Sequence, residues 1–348
     1  MSQTNAGPAQ ARNIAAFVLL TLIWGSTWLV IKDQISAVPV GWTVTWRFAL
    51  AAVGMFALAL VRRDSLGLSR SAFGLAAVTG TFQFAGNFQL VYRSEHYLTS
   101  GLVAVFFALL LVPNAVFARI FVGTPVTRRF LGGSAVALAG IGLLFLHEYR
   151  IAAAGSSGVV TGIVLVTLAL LSASVSNVML ATDLARRQAI IPFLAWSMLF
   201  GAIANALFAW TINGAPQFDP RPEYLVGIAY LAIIGSVVTF PLYTGLIRSW
   251  GPGKAAYNGV AVPVVAMGLS TLFEGYRWGG LAIAGAMLAM TGLLIAVSGR
   301  RSGCQPLAVS REAQFPPQYA PGFAVRDAAV LVIERAGLRA EFCLLERE

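Results

Sequence analysis

Charge is scarce in this chain. Only 11% of its 348 residues are Asp, Glu, Lys or Arg, against 58% hydrophobic, and mean hydropathy is +0.77. A soluble domain with so few charges could not cover so much apolar surface. The composition therefore excludes the soluble classes and points to a polytopic membrane protein. A net charge of +10 does not imply nucleic acid, because the basic residues stand singly or in pairs in short loops rather than along one face. They read as a topology signal.

Cysteine and histidine are rarer still. Cys304 and Cys343 follow the last apolar run, and His96 and His147 lie at loop edges far apart. That argues against a disulfide framework and a thiolate metal site, so no metal and no cofactor are expected. The sequence has no GxxxxGK[ST] phosphate loop, no HExxH and no nucleophile elbow, so neither an ATPase nor soluble-type catalysis is expected. The first apolar run is longer than a signal h-region and no small-x-small cleavage pattern follows it, so it reads as a retained helix.

Acids at membrane depth are missing too. All fourteen Asp and Glu fall in loops, at helix ends or in the tail. A proton or cation antiporter usually needs a titratable carboxylate at depth. The pattern therefore disfavours proton-coupled cation exchange and favours facilitated diffusion, or coupling through a less obvious group.

What is present is ten apolar runs: 13–31, 40–61, 71–92, 97–121, 129–147, 158–180, 190–212, 223–247, 254–273 and 278–298. Each is long enough to span a hydrocarbon core of about 30 Å. Backbone groups in lipid must be satisfied within each segment, so the fold class expected is all-α integral membrane. With the N-terminus inside, thirteen Lys and Arg lie at inner positions and five at outer ones. Both termini are then cytoplasmic.

The run 97–121 carries Pro113, and 150 positions on, a second run carries Pro263. Eight identities hold at that offset across 112–144, including Val112/Val262, Leu138/Leu288 and Gly142/Gly292. The small-residue stretch AAAGSSG (152–158) is a natural seam. The expected organisation is a cytoplasmic N-terminus (1–12), a first five-helix repeat (13–150), a linker (151–157), a second repeat (158–300) and a tail (301–348). Five spans per half is an odd number, so the halves are inverted and a site should lie between them.

The motifs then resemble a known family. LLTLIWGSTWLVIK (19–32), WRFALAA (46–52), AWSMLFGAI (195–203), YLAIIGSVVTFPLY (230–243) and VPVVAMGLSTLFEGYRWGGLAIAGAMLAMTGLLI (262–295) are similar to the repeats of EamA-type transporters of the drug/metabolite transporter superfamily. The resemblance covers about 13–298. It implies ten helices in two inverted halves, a central cavity and export of amino acids, other small metabolites or drugs. Gly123-Thr124-Pro125 and Val262 depart from positions where the family often carries Glu; Glu274 keeps it.

The candidate cavity residues are Trp24, Ser26 and Trp28 on helix 1, Gln83 and Asn87 on one face of helix 3, and Asn114, Asn177 and Asn258. The alternative for the tryptophans is packing, and for the amides helix–helix hydrogen bonding. Pro113, Pro263, Tyr243 and Tyr257 are hinge or gate candidates. Arg47, roughly 10 Å deep at 1.5 Å per residue, is a substrate-carboxylate partner, a gate pair with an acid such as Asp33, or an anchor between helices. The function expected is a multi-pass inner-membrane permease exporting a small metabolite by alternating access. Its partners are the bilayer and a small-molecule substrate, with the oligomeric state open, a monomer included. Multidrug efflux, metabolite uptake, a membrane lipid enzyme or flippase, and a transport-dead interaction protein are the rival readings.

Overall fold

The computed structural model describes residues 8–36, 38–123, 125–151, 156–250 and 255–298. The tail expected at 301–348, with Cys304 and Cys343, and linker positions 152–155 lie outside the described residues. Among the described residues all regular structure is helical.

The helices are α1 (Pro8–Gln34), α2 (Val40–Val61), α3 (Arg70–Thr79), α4 (Phe88–Ser94), α5 (Ser100–Phe107), α6 (Leu111–Val122) and α7 (Arg128–Ile151). They continue with α8 (Ser156–Leu180), α9 (Asp183–Arg186), α10 (Ile190–Asn213), α11 (Pro222–Ala229), α12 (Thr239–Trp250), α13 (Asn258–Phe273) and α14 (Gly280–Ser298). Among the described residues, eight stretches are long and apolar enough to cross a membrane, two of them, Ser100–Phe121 and Pro222–Leu246, assembled from consecutive helices. Their outward residues, such as Val18, Leu22, Leu207 and Met287, are apolar and exposed. Lipid is the solvent that makes such a surface stable.

Two wide turns mark the middle of the bundle. A π-helix, Gly80–Asn87, joins α3 to α4, and another, Tyr230–Val238, joins α11 to α12. Gly80 and Tyr230 stand 150 residues apart, the offset of the two prolines. A π segment shifts the hydrogen-bond ladder by one residue and leaves carbonyls for other partners. Ser172 of α8 donates to the Phe82 carbonyl at 2.7 Å, and Asn205 of α10 to the Phe84 carbonyl at 2.8 Å. In the second segment Ser236 and Thr239 donate to the carbonyls of Leu231 and Gly235.

The prolines interrupt less than their spacing predicts. The carbonyl that the Pro113 ring opposes, four residues back, is that of Leu109, and there the helix tightens into the 3₁₀ turn Ala108–Leu110. Pro263 sits inside an unbroken α13. Its opposed carbonyl is in the first turn of that helix, where strain is absorbed at an end. The matched interruptions are therefore the π segments, not the prolines.

Packing follows small residues. α7 and α14 lie against each other through Gly133, Ala137 and Gly140 on one side and Gly285, Ala289 and Gly292 on the other. A Cβ on Gly140 would lie 2.3 Å from the Ala289 amide nitrogen, and one on Gly292 would lie 2.2 Å from that of Ala137. Close backbone approach replaces the missing hydrophobic drive between helices in lipid. Gly142, matched to Gly292 at 150, faces open space instead. The seam itself repeats at 152, so the register slips by two in the last helix of each half. Elsewhere α2 packs on α10, α1 on α12 and α13, α5 on α13, and α8 on the first π segment, α4 and α6.

Candidate functional site

A cleft of about 680 Å³ opens where α1 ends, α11 begins and α13 ends. Lys32, Asp33, Glu223, Tyr230 and Glu274 line it with apolar neighbours. Tyr230 is the first residue of the second π segment, and its hydroxyl lies 2.6 Å from that of Ser26 on α1. The wall is ionic: Lys32 donates to the main-chain carbonyls of Glu95 and Leu98, and the Glu274 carboxylate accepts from the Ser100 amide at 3.1 Å and hydroxyl at 2.6 Å. Glu274 thus satisfies the start of α5, where free N–H groups favour an anion.

Behind Lys32, Glu95 is 0% exposed and neither carboxyl oxygen has a hydrogen-bond partner. Burial pushes its carboxyl well above the ordinary range, Glu274 adds to this, and the Lys32 and Arg47 charges oppose it. The reading of all acids as loop or helix-end residues holds for position along the chain, but not for solvent access. Glu95 ends its helix and is still covered on every side.

Away from the cleft, α1 and α12 meet through aromatic rings. The Trp24 ring lies tilted at 5.2 Å from that of Tyr243 and edge-on at 6.2 Å from that of Phe240, over buried Leu20, Leu246 and Ala255. Trp28, one turn along α1, lies 5.2 Å from Phe107 just before the 3₁₀ turn. At Gly25 α1 comes close to α13: a Cβ there would meet Val265 at 2.5 Å. Tyr257 caps the start of α13.

The amides do not gather into one group. Asn177 donates to Asn114 at 3.3 Å, and Asn258 to Thr21 at 2.8 Å. Gln83 and Asn87, both on the first π segment, each carry a buried side-chain oxygen without a partner. Arg47 turns away from Asp33. It donates to the Tyr92 hydroxyl at 2.9 Å, and its guanidinium carbon lies 4.6 Å from the Phe88 ring centre and 5.1 Å from that of Phe48. Among the described residues no carboxylate lies within 4 Å of it, because the aromatic residues of α2 and α4 enclose it.

Sequence reasoning did not single out Tyr230, Lys32, Glu95 or Glu274 as site residues. Lys32 counted only toward topology, Glu95 only as a span end, and Glu274 only as a span end that keeps an acid the resembled family often carries. Alternating the spans does bring all three to one end of the bundle, and that is the signal that could have found them.

The cleft and the paired π segments lie in a bundle of long apolar helices with an apolar outer surface. The model of the EamA-like transporter family matches residues 12–146 and again 160–298. The chain belongs to this family. It is a multi-pass membrane transporter carrying two EamA units. Among its relatives, the "Probable amino-acid metabolite efflux pump" of Salmonella typhimurium is 25% identical over 302 residues, covering 82% of this chain and 94% of that protein. "Protein PagO" of the same organism is 22% identical, covering 75% of this chain and 84% of that protein. The "Uncharacterized inner membrane transporter YedA" of Escherichia coli is 26% identical, covering 74% and 81%. One solved structure superposes with a TM-score of 0.59 at 18% identity, covering 82% of this EamA-like chain and 96% of the other, a likeness of fold.

Proposed function

We propose that this transporter exports an amino acid or similar small metabolite across the inner membrane, by alternating access between two inverted five-helix halves. The observation that carries the mechanism is the pair of π segments, one in the third helix of each half, at the 150-residue offset. Counting the helical rod Arg70–Ser94 and the shorter α13, the halves hold five spans each. Their packing exchanges in pairs: the first span meets the eighth and ninth, and the sixth meets the third and fourth. An odd number of spans per half inverts the second, and two near-equivalent packings can then interconvert around a fixed site.

In this reading both termini are cytoplasmic, the cleft faces outward, and Trp24 with Tyr243 closes the inner side. Ser26, Trp28, Gln83 and Asn87 border the solute path. The unpartnered oxygens of Gln83 and Asn87 suit a donor such as an ammonium group. Asn114, Asn177 and Asn258 hold helices together beside it, and Pro113 and Pro263 set helix ends that rock. The Salmonella efflux pump supports the solute class and the outward direction, and YedA supports the inner membrane.

Purified protein in liposomes should exchange labelled amino acids across the bilayer, with a rate that saturates in solute. No exchange of any of them would refute the solute class. Cys304 and Cys343 should react with an impermeant maleimide only in opened cells; labelling of intact cells with a permeabilised outer membrane would refute the orientation.

A further inference from the structure

We propose that Glu95 is a proton-binding site of this transporter, exchanging its proton through the Lys32–Glu274 wall of the cleft and thereby coupling transport to a proton gradient. The coupling rests on the transport reading above; the proton site itself does not.

The geometry is that of an acid kept without a counter-ion. Glu95 is fully buried, with both carboxyl oxygens unpartnered. An ionised carboxylate in that position would leave several hydrogen-bond sites empty in a low-dielectric surrounding, which is costly. A neutral carboxylic acid is the form that fits. Lys32 behaves accordingly. Its ammonium lies on the carbonyls of Glu95 and Leu98 and not on the nearby carboxyl group. Glu274, the other acid of the wall, is held by Ser100 and adds a like charge that favours the neutral form of Glu95.

The charged and titratable groups around Glu95 come from several elements. Lys32 comes from α1, Arg47 from α2, Tyr92 from α4, and Glu274 from the end of α13. On its own segment stand Arg93 and His96, and the imidazole is pushed down by burial and by the Lys32 and Arg93 charges. Loss of the proton converts the acid to a carboxylate and a free proton, which leaves to water in the cleft beside Lys32 and Glu274. The new carboxylate then draws the Lys32 ammonium off the two carbonyls, and Arg47 with its unpartnered Nε is the second cation within its field. Lys32 is in the last turn of α1 and its carbonyl partners lead into α5. Protonation of one carboxyl thereby sets whether α1 is tied to the start of α5, at the mouth of the cleft. This is the less obvious coupling group that a search for mid-span acids passes over.

Two readouts test it on the full chain in liposomes. In infrared difference titration, wild type should show a carboxylic-acid carbonyl band that bleaches above the ordinary carboxylate range. Glu95→Gln should lack it, Glu95→Asp should keep it, and Lys32→Met should move it to higher pH. With the membrane potential clamped at zero, labelled amino acid should move toward the acidic side. For one-to-one exchange its ratio there should reach about tenfold per pH unit, the factor that about 1.4 kcal/mol supports. Glu95→Gln should abolish this accumulation and retain solute exchange at equal pH. A band unchanged in Glu95→Gln, an unmoved band in Lys32→Met, or accumulation that survives Glu95→Gln would overturn the proposal. If Glu95→Gln fails to insert, the Asp and Met variants still decide. If no amino acid is moved by wild type, the solute class falls and the infrared titration alone decides the proton site.

Discussion

The hydroxyls of Ser26 and Tyr230 lie 2.6 Å apart, joining α1 of the first half to the π segment of the second. Tyr230 also lines the cleft, so this bond fixes one of its lining side chains. Tyr230→Phe and Ser26→Ala each remove one partner and little volume. A hydrogen bond is worth about 0.5–1.5 kcal/mol net, so half-saturation for the transported solute should rise roughly two- to tenfold. Saturation curves for each variant in liposomes measure it. Unchanged curves for both would remove the pair from the site.

The α7–α14 seam predicts a sharp contrast between two glycines two residues apart. Gly140→Ala drives a methyl to within 2.3 Å of the Ala289 amide nitrogen, a backbone atom with no rotamer to escape through. It should cost at least the roughly 1–3 kcal/mol of an overpacked core. Gly142→Ala meets nothing within 4 Å and improves helix propensity, so it should be neutral or slightly stabilising. Thermal unfolding in detergent compares them directly. Equal losses would show that α7 faces α14 differently.

Much of this architecture is legible in the sequence, because lipid forces long apolar runs and short loops. The ends of α2 and α10 match the apolar runs to within a residue or two. The 150-residue offset found the repeat through Pro113 and Pro263, yet its structural counterpart is the pair of π segments. No residue type announces a π turn, since its carbonyls are satisfied by Ser172 and Asn205 from distant helices. The site was less legible for a related reason. Amide spacing on one helix locates a face, but whether the face meets solute or another amide depends on the neighbour, as Asn114 and Asn177 show. Burial of Glu95 is likewise decided by the distant segments that bring Lys32, Arg47 and Glu274 near it, not by its place at a helix end.

Asn205 tests the cost of holding the first π segment. It is completely buried, donates to the Phe84 carbonyl at 2.8 Å and accepts from Gln89 at 2.7 Å. Asn205→Leu keeps the volume, takes the side-chain donor from the Phe84 carbonyl and leaves Gln89 Nε2 with only the Gly41 carbonyl at 3.4 Å, which should cost about 1–3 kcal/mol. Asn205→Ser, able to reach at most one, should fall between. Chemical unfolding in mixed micelles should rank wild type above Ser above Leu. A stable Leu variant would mean that the segment does not depend on this bond.

Arg47 makes a less intuitive prediction. The flat guanidinium satisfies Tyr92 and stacks on Phe88, a geometry an ammonium cannot copy. A desolvated cation–π contact is worth about 2 kcal/mol. Arg47→Lys keeps the charge and loses the fit, so it should destabilise strongly. Arg47→Met removes a buried cation that has no ion pair and fills the same space, so it should destabilise less. Melting temperatures in the order wild type, Met, Lys would bear this out, and the order wild type, Lys, Met would refute it.

Glu95 should also be visible in the pH dependence of stability alone, without any solute. Its folded-state pKa lies above the ordinary glutamate value, with burial the largest cause. Between the two values the folded protein binds more protons than the unfolded chain, so stability falls as pH rises through that window. Below the ordinary value the acid is neutral in both states and carries no such penalty; above the folded value the penalty is complete and constant. Glu95→Gln removes the titration. Near pH 4 the variant and wild type should melt alike, and the variant should become progressively more stable as pH rises. A variant advantage that grows toward acid would mean that the carboxyl is ionised and paired in its buried place, and a difference that stays flat would mean that folding does not shift its titration; either result would refute the neutral acid.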